Sequence, residues 1–341
     1  MRKMASIQKI AEVKPIDGAD FIVAYRVNGW WVVDKKDAYQ VDDLVVYCEP
    51  DAWIPFELAP FLCKGKEPRE YNGVKGEKLR TIRLKKQYSQ GLILPFSIMN
   101  VEQDGIVYES LADVDTDVSE ILGIQKWEPP IPACLVGKMR GNFPSFIPKT
   151  DQTRIENLGR NLEIWQYKKF EFAIDEKCEG SSMTTYVYND REGVCSRNID
   201  LYDTDDNTFW QVEKKYSIIE KIKSTGKNIA IQGELLGEGI QGNIYNIKGH
   251  DLYVFDVYLI DEHRYMLPDE RDEFVSSIGL KLVPRLGSIV IDESITQSTL
   301  IDMAEGISKL YNTQREGIVF RNKTENDTFK AISRKYLLNQ A

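Results

Sequence analysis

The sequence predicts an α+β protein built from two domains. The chain has 341 residues, which fits two domains at roughly 100–200 residues each. Residues 1–97 show short β-rich runs separated by turn signals, without long helices between them, as in a small β-barrel. Further along the chain the pattern changes to strands mixed with amphipathic helices.

The N-terminal part has the spacing of a chain of hairpins. Asn28 and Gly29 separate two β-rich runs, and this dipeptide is a strong signal for a tight β-turn. A short helix is also expected within residues 118–122. The predicted strands are residues 21–27, 30–33, 44–48 and 91–95.

A proline cluster predicts the linker. Pro129, Pro130 and Pro132 cannot continue a helix or a central strand, so we assign residues 1–128 and 129–341 to the two domains. In the second domain, helices are predicted at 206–223, 268–278 and 295–311, and strands at 170–174, 183–188, 229–236, 252–260, 317–321 and 328–333.

Composition indicates the location of the protein, the state of its thiols and the kind of metal it could bind. No apolar run approaches the ~20 residues that a membrane span needs, so we expect a cytoplasmic protein without a membrane partner. The five cysteines are an odd number without a Cys-x-x-Cys pair, which indicates reduced thiols. With only two histidines, any metal is expected to be a hard cation held by carboxylates.

The net charge of −9 by itself disfavours nucleic-acid binding, but the charge is unevenly distributed. Residues 75–86 include six bases and one acid. We predict that Arg80, Arg83 and Lys85 contact nucleic-acid phosphates, and a change of alternation near Ile82 predicts a bulge or bend in one strand. The alternative is a solvated edge strand protected by its basic residues.

Two motif matches are interpreted as structural. Residues 237–242 fit G-x-G-x-x-G, but about ten residues before the next predicted strand leave no room for a crossover helix. A flexible glycine-rich loop is therefore expected there. Lys223 and Gly226 form a Lys-x-x-Gly match that reads as a helix end with its glycine cap.

A second Lys-x-x-Gly match, Lys177 to Gly180, follows an apolar strand and opens a polar turn, so Lys177 is expected at a strand end facing a cleft. In chain order, the residues that accompany Lys177 are Arg197, Glu234, Phe255, Asp256, Glu316, Val319 and Lys330. Taken singly, the charged residues of this set would be interpreted as salt-bridge partners or surface charges, and Phe255 as a core residue.

In this order the elements resemble the motifs of the covalent nucleotidyltransferases, the superfamily of ATP-dependent ligases and capping enzymes. The chain is most similar to the RNA ligases with an N-terminal OB-like domain, and residues 150–154 resemble their upstream element. The resemblance covers essentially the whole chain. It implies an α+β fold in which an OB-like β-barrel precedes a ligase-type nucleotidyltransferase domain of antiparallel sheets flanked by helices.

The resemblance also implies a reaction. Lys177 would attack the α-phosphate of ATP, and the AMP would pass to an RNA 5′-phosphate that a 3′-OH then attacks. The lysine amine must be neutral, and partial burial with a nearby cation would lower its pKa from about 10.4. ATP and Mg²⁺ or Mn²⁺ are the implied cofactors. The implied partner is RNA with 3′-OH and 5′-phosphate ends in a nicked duplex, and the enzyme is expected to be a monomer.

Site roles follow from the same resemblance. The implied roles are Lys177 and Lys330 as catalytic residues; Glu179, Asp256 and Glu316 as carboxylates near the metal; and Glu176, Gly180, Arg197, Glu234, Phe255, Val319 and Arg154 as nucleotide contacts. Motif I more often carries Asp where Glu179 stands, and Lys335 is the candidate for a second motif V lysine. The alternatives are a DNA ligase, a GTP-using capping enzyme and a non-catalytic OB-domain RNA-binding protein.

Overall fold

The computed structural model describes residues 3–100, 102–103, 106–107, 113–128 and 135–339. The chain divides into two compact units, Met1–Pro130 with Leu337–Ala341, and Ile131–Tyr336. Pro129, Pro130 and Pro132 lie outside the described residues, so the linker between residues 1–128 and 129–341 stays a prediction. Among the helices of the described part, none is long and apolar enough to span a membrane.

The elements of the first unit are almost all strands. The strands are β1 (Ala5–Pro15), β2 (Ile22–Val27), β3 (Trp30–Lys35), β4 (Leu44–Cys48), β5 (Ala52–Pro55), β6 (Arg69–Tyr71), β7 (Val74–Lys78), β8 (Ile82–Leu84), β9 (Gln87–Ser89), β10 (Leu92–Pro95), β11 (Glu102–Gln103), β12 (Ile106–Val107) and β13 (Gln125–Lys126). Short 3₁₀ turns occupy Pro60–Cys63 and Phe96–Met99.

The second unit mixes strands and helices. Its strands are β14 (Met139–Asn142), β15 (Thr153–Arg154), β16 (Glu171–Lys177), β17 (Ser181–Tyr188), β18 (Arg191–Cys195), β19 (Ile199–Leu201), β20 (Ile229–Gly237), β21 (His250–Leu259), β22 (Arg264–Tyr265), β23 (Lys281–Leu282), β24 (Arg285–Val290), β25 (Gly317–Asn322) and β26 (Thr328–Ile332). Its helices are α1 (Asn161–Lys168), α2 (Thr208–Tyr216), α3 (Ile218–Ser224), α4 (Pro268–Ser277) and α5 (Gln297–Asp302). A last helix, α6 (Arg334–Asn339), begins in this unit, and its residues from Leu337 onward are counted with the first unit.

In the first unit a five-stranded sheet, ordered β10-β4-β1-β2-β3, and a four-stranded sheet, ordered β13-β5-β7-β6, each bury apolar side chains. The predicted hairpin is confirmed, because Asn28 adopts a φ of 52° between β2 and β3. The sequence did not predict β1. Its alternation is obscured because Ser6 and Gln8 are buried polar residues, which hydrogen-bond to each other at 2.9 Å.

The basic segment differs from its prediction. Residues 75–86 do not form one bent strand, since the chain leaves the sheet after β7 and begins the separate hairpin β8–β9. Leu79 and Thr81 are buried, and the alternation changes near Ile82 because the exposed hairpin begins there. Arg80, Arg83 and Lys85 are all exposed, and Lys85 stands in the hairpin turn with a φ of 46°.

Two antiparallel-rich sheets form the second unit. The larger is ordered β14-β19-β18-β17-β20-β21-β22 with β23 beside β21, and the smaller is ordered β15-β26-β25-β16-β24. An apolar core covers one face of the larger sheet and includes residues of α2, α3 and α4. A second core lies on one face of the smaller sheet with α1 and α5. The predicted α+β class is confirmed.

Three predicted helices need correction. The helix predicted at 206–223 is two helices, because Ser217 adopts a left-handed φ of 49° between α2 and α3. The helix predicted at 295–311 ends with α5, and residues 118–122 form turns. Residues 237–242 form a loop without a helix, as expected, which excludes the dinucleotide-binding interpretation.

Asp251 connects the start of β21 to two neighbouring elements. Its carboxylate accepts hydrogen bonds from Lys215 Nζ at 2.9 Å, from Lys281 Nζ at 2.5 Å and from the Tyr216 hydroxyl. Burial alone would raise the pKa of Asp251, but these donors outweigh burial and lower the pKa to about 2.

Asp251→Asn should therefore lower the free energy of unfolding at pH 7 by about 1–2 kcal/mol. The folded pKa lies below the unfolded value of about 3.9, so the carboxylate stabilises the fold above pH 4 and this contribution is lost as the pH falls towards 2. Urea unfolding at several pH values measures the difference. The exposed Asp269→Asn serves as control, and a destabilisation that stays constant down to pH 2 would contradict the assignment.

Candidate active site

The smaller sheet presents a polar face. Cross-strand pairing joins Lys177 to Gly317, and Asp175 to Val319, which pairs in turn with Lys330. Paired residues of neighbouring strands point to the same face of a sheet. These side chains therefore lie on the face opposite the apolar core of this sheet, as predicted for a lysine at a strand end.

The larger sheet presents a second polar face. Glu234 pairs with Ser182 on β17, and Gln232 pairs with Asp256 on β21, all on the face opposite the main apolar core. The register shifts between Gln232 and Gly233, which leaves Phe255 as the extra residue of a bulge. Bonds between the two polar faces, described below, show that they line one cleft.

Lys177 contacts Glu316 directly. Its Nζ lies 2.7 Å from Glu316 Oε1, and Glu316 immediately precedes β25. Burial lowers the pKa of Lys177, but the negative charges of Glu316 and Glu234 outweigh burial and raise it. The lowered pKa that the sequence interpretation required is therefore not produced by the protein's own groups.

Glu234 is half-buried below the turn that follows Lys177. Burial is the main cause that raises the pKa of Glu234 to about 8, although the charge of Lys177 acts in the opposite direction. A Cβ at Gly180 would lie 2.5 Å from the Leu235 carbonyl oxygen, so glycine is required here by close packing against β20. Glu234 also accepts a backbone hydrogen bond from Gly180.

Lys330 and Arg197 approach the same carboxylate from the two sheets. Asp151 Oδ1 lies 3.3 Å from Lys330 Nζ, and Asp151 Oδ2 lies 3.6 Å from Arg197 Nη2. Asp151 belongs to the predicted upstream element at residues 150–154. Arg154 in the same element is buried, and its backbone pairs with Lys330 where β15 runs parallel to β26.

Asp256 is engaged by an arginine. Arg321 Nε and Nη2 donate to its two carboxylate oxygens at 2.8 and 3.1 Å, and both residues are buried. Arg321 also donates to Asp175, so a charged network joins the two sheets. Both oxygens of Asp256 serve this network, and its assignment to the metal site stays a prediction.

Glu179 is held by two tyrosines. Its backbone N–H donates to the Tyr245 hydroxyl at 2.7 Å, and its carboxylate hydrogen-bonds the Tyr336 hydroxyl. Burial first, and then the charges of Glu316 and Glu179, raise the pKa of Tyr336. Both carboxylates therefore lie near one tyrosine, although no group of three or more metal-ligating side chains occurs among the residues that the structure describes.

The remaining predicted residues are dispersed. Glu176 directly precedes Lys177 on β16, so its side chain points to the opposite face of the sheet. Its Oε2 accepts from the Lys309 backbone N–H at 2.8 Å. Phe255 packs against an apolar cluster that includes Tyr245. Lys335 is exposed on α6, so its part in a second lysine contact stays a prediction.

Sequence reasoning missed Asp151, Arg321 and the two tyrosines. Asp151 had a usable signal, since it lies in the recognised upstream element between Thr150 and Arg154. The other three carry none, because an arginine in a strand and a tyrosine in a loop or helix have no distinctive spacing.

Comparison with known proteins identifies the family. A model of RNA ligases matches residues 170–336, and a model of an OB-fold domain matches residues 4–96. A variant of Naegleria gruberi RNA ligase with AMP and manganese is similar at 39% identity and a TM-score of 0.90, over 99% of each chain. The chain belongs to the RNA ligase family. A search of curated proteins gave no match.

Other structures of the Naegleria gruberi RNA ligase agree. A variant with ATP and manganese has 39% identity and a TM-score of 0.89, and a complex with pyrophosphate has 40% identity and a TM-score of 0.89, each over 99% of both chains. The predicted ligase fold with its N-terminal OB-like domain is confirmed, as is the predicted RNA ligase function. The ATP, AMP and manganese in those complexes agree with the predicted cofactors of this ligase.

The two roles of a carboxylate can be separated by experiment. Asp256→Asn should destabilise the ligase by about 3 kcal/mol, because Arg321 is buried and loses part of its charge compensation. The magnesium concentration that half-saturates lysyl-AMP formation should not change. Glu316→Gln is the comparison, since it should raise that concentration with little loss of stability. Chemical unfolding measures the stability, and a magnesium titration measures the half-saturating concentration. A raised magnesium requirement in Asp256→Asn would support Asp256 as a metal ligand.

Proposed function

We propose that this ligase is a cytoplasmic monomer that seals 3′-OH and 5′-phosphate ends at nicks in duplex RNA, through a covalent AMP on Lys177. The observation that supports the proposal most directly is the placement of Lys177 at the end of β16, against Glu316 and beside Glu234. The cations that would neutralise a phosphate, Lys330 and Arg197, approach the same cleft from opposite sheets.

A divalent cation fits the carboxylates near Lys177. Glu316 and Glu179 offer oxygen donors, which Mg²⁺ and Mn²⁺ prefer, and both lie near Tyr336. When bound, the cation supplies positive charge that stabilises a nucleotide phosphate. The protein's part is to hold Lys177 within contact distance of Glu316 and to place Glu179 beside the same tyrosine as Glu316.

The first step forms a phosphoramidate. The neutral Lys177 amine attacks the α-phosphorus of ATP, so that an N–P bond forms, the bond from that phosphorus to the bridging oxygen breaks, and pyrophosphate leaves. Lys330 and Arg197 would hold the α-phosphate and offset its charge. The RNA 5′-phosphate then takes AMP from Lys177, and the RNA 3′-OH displaces AMP to form the phosphodiester.

The β8–β9 hairpin is the proposed RNA surface of the OB-like unit. Arg83 lies over the Tyr88 ring with 5.4 Å between guanidinium carbon and ring centroid, and Lys85 occupies the turn. Ile82 is 45% exposed beside them. Basic residues interleaved with an aromatic ring are typical of surfaces that follow a nucleic-acid backbone.

Lys177→Ala should abolish the covalent AMP adduct, because Lys177 is the amine at the cleft end of β16, and should leave the fold intact. Incubation with labelled ATP and Mg²⁺, followed by denaturing electrophoresis, measures the adduct, and EDTA should also prevent it. Lys223→Ala is the matched control, because Lys223 stands in the other Lys-x-x-Gly sequence and is exposed on α3. An adduct on Lys177→Ala would contradict the proposal, whereas sealing of pre-adenylylated RNA should survive.

Replacing Arg80, Arg83 and Lys85 together with alanine should weaken RNA binding and reduce the slope of log affinity against log salt by up to about 3, because fewer counterions are released. Lysyl-AMP formation should stay near normal, since Lys177 lies in the other unit. The control replaces three exposed lysines of the second unit, Lys214, Lys223 and Lys227. Unchanged affinity and slope would favour a hairpin that is only protected by its charges.

A further inference from the structure

One carboxylate lies where the nucleotide phosphate is expected. Asp151 contacts Lys330 of β26 and Arg197, which follows β18, so it joins cations carried by the two facing sheets. The Lys330 side chain is 13% exposed and that of Asp151 is 34% exposed, so this pair is partly shielded from water, whereas the Arg197 side chain is 51% exposed. The contact with Lys330 is therefore the stronger of the two, because a partly shielded ion pair is screened less than one on an open surface.

The segment that carries Asp151 is fixed to both sheets. The Pro148 carbonyl oxygen accepts from Gln232 Nε2 at 2.9 Å, and the Thr150 hydroxyl lies 3.3 Å from that of Ser182. On the other side of Asp151, β15 pairs with β26. The carboxylate is therefore held at this point by backbone and side-chain bonds on each side of it.

We propose that Asp151 is a positioning residue that takes the place of the α-phosphate before ATP binds and competes with ATP for Lys330 and Arg197. The inference rests on the proposed function, which gives these two cations to the phosphate. A carboxylate and a phosphate oxygen accept the same charge-assisted hydrogen bonds, so the two cations keep their separation before ATP arrives. ATP must then displace Asp151, and Asp151 recovers the cations when AMP leaves.

The competition predicts a selective change of affinity. In Asp151→Asn the two cations have a weaker partner and the triphosphate meets one negative charge fewer, so ATP should bind about five-fold more tightly. Adenosine has no phosphate and should bind equally well to both forms. The KM for ATP in lysyl-AMP formation should fall, because ATP no longer has to displace a charged carboxylate from Lys330 and Arg197.

Isothermal titration with ATP, and separately with adenosine, tests this on a Lys177→Met background that cannot form the adduct. Asp203→Asn is the matched control, since it removes the same charge from an exposed pair with Lys214. Asp151→Glu should restore the parent affinity, which loss of a purely structural contact would not predict. Thermal melting checks that each variant is folded.

The outcomes separate the two proposals. Tighter ATP binding in Asp151→Asn, with unchanged adenosine binding and an unchanged Asp203→Asn control, supports the competition. Unchanged or weaker ATP binding overturns it, and weaker binding only in the presence of Mg²⁺ would make Asp151 a metal contact instead. If the parent enzyme forms no adduct on Lys177 with labelled ATP, the proposed function itself fails, whatever Asp151→Asn does.

Discussion

The buried charges between the two sheets of the second unit are the constraint on which the site depends. Asp175 of β16 accepts hydrogen bonds from Arg321 at 3.1 Å and from Arg271 at 2.9 Å, and Arg321 continues to Asp256 on the facing sheet. A buried charge without its partner costs about 3–5 kcal/mol. The two polar faces can therefore approach each other only where each charge is matched, which fixes their separation.

This network reaches the residues of the cleft. Asp175 stands two positions before Lys177 on the same face of β16, and Arg271 also donates to the Phe255 carbonyl oxygen at 2.6 Å. The guanidinium of Arg271 thus holds both β16, which carries Lys177, and the bulge that contains Phe255. Arg271 is 1% exposed and comes from α4, so a helix outside the sheets helps to set the width of the cleft.

The sequence predicted residues that line the cleft better than the framework that holds them. Lys177, Glu234 and Lys330 could be selected because they stand in the order of recognisable motifs, and the structure places them on the two polar faces. The contact between Asp256 and an arginine could not be predicted, because an acidic residue in a strand looks the same in the sequence whether it meets a cation or an arginine. Its partner Arg321 lies 65 residues away along the chain, and only folding brings the two together.

The same limit applies to local structure. The break at Ser217 is stabilised by a side-chain bond that spans it, in which the Glu213 carboxylate accepts from the Ile219 backbone N–H at 3.0 Å. Periodicity alone runs through this point and predicts one helix. By contrast, the turn at Asn28 was predicted correctly because its signal is contained in the dipeptide itself.

Because Gly180 has no side chain, the turn after Lys177 packs closely enough on β20 to stay in place when pH or salt changes. The turn after Lys177 rests on β20 so closely that a single methyl group would overlap the Leu235 carbonyl. The turn is held there by the backbone pairing of Ser181 with Leu235 between β17 and β20, which salt does not screen, whereas the contact between Lys177 and Glu316 is electrostatic. A solvent change that separates the two charges therefore leaves the turn seated on β20, and the amine can return to the cleft without refolding.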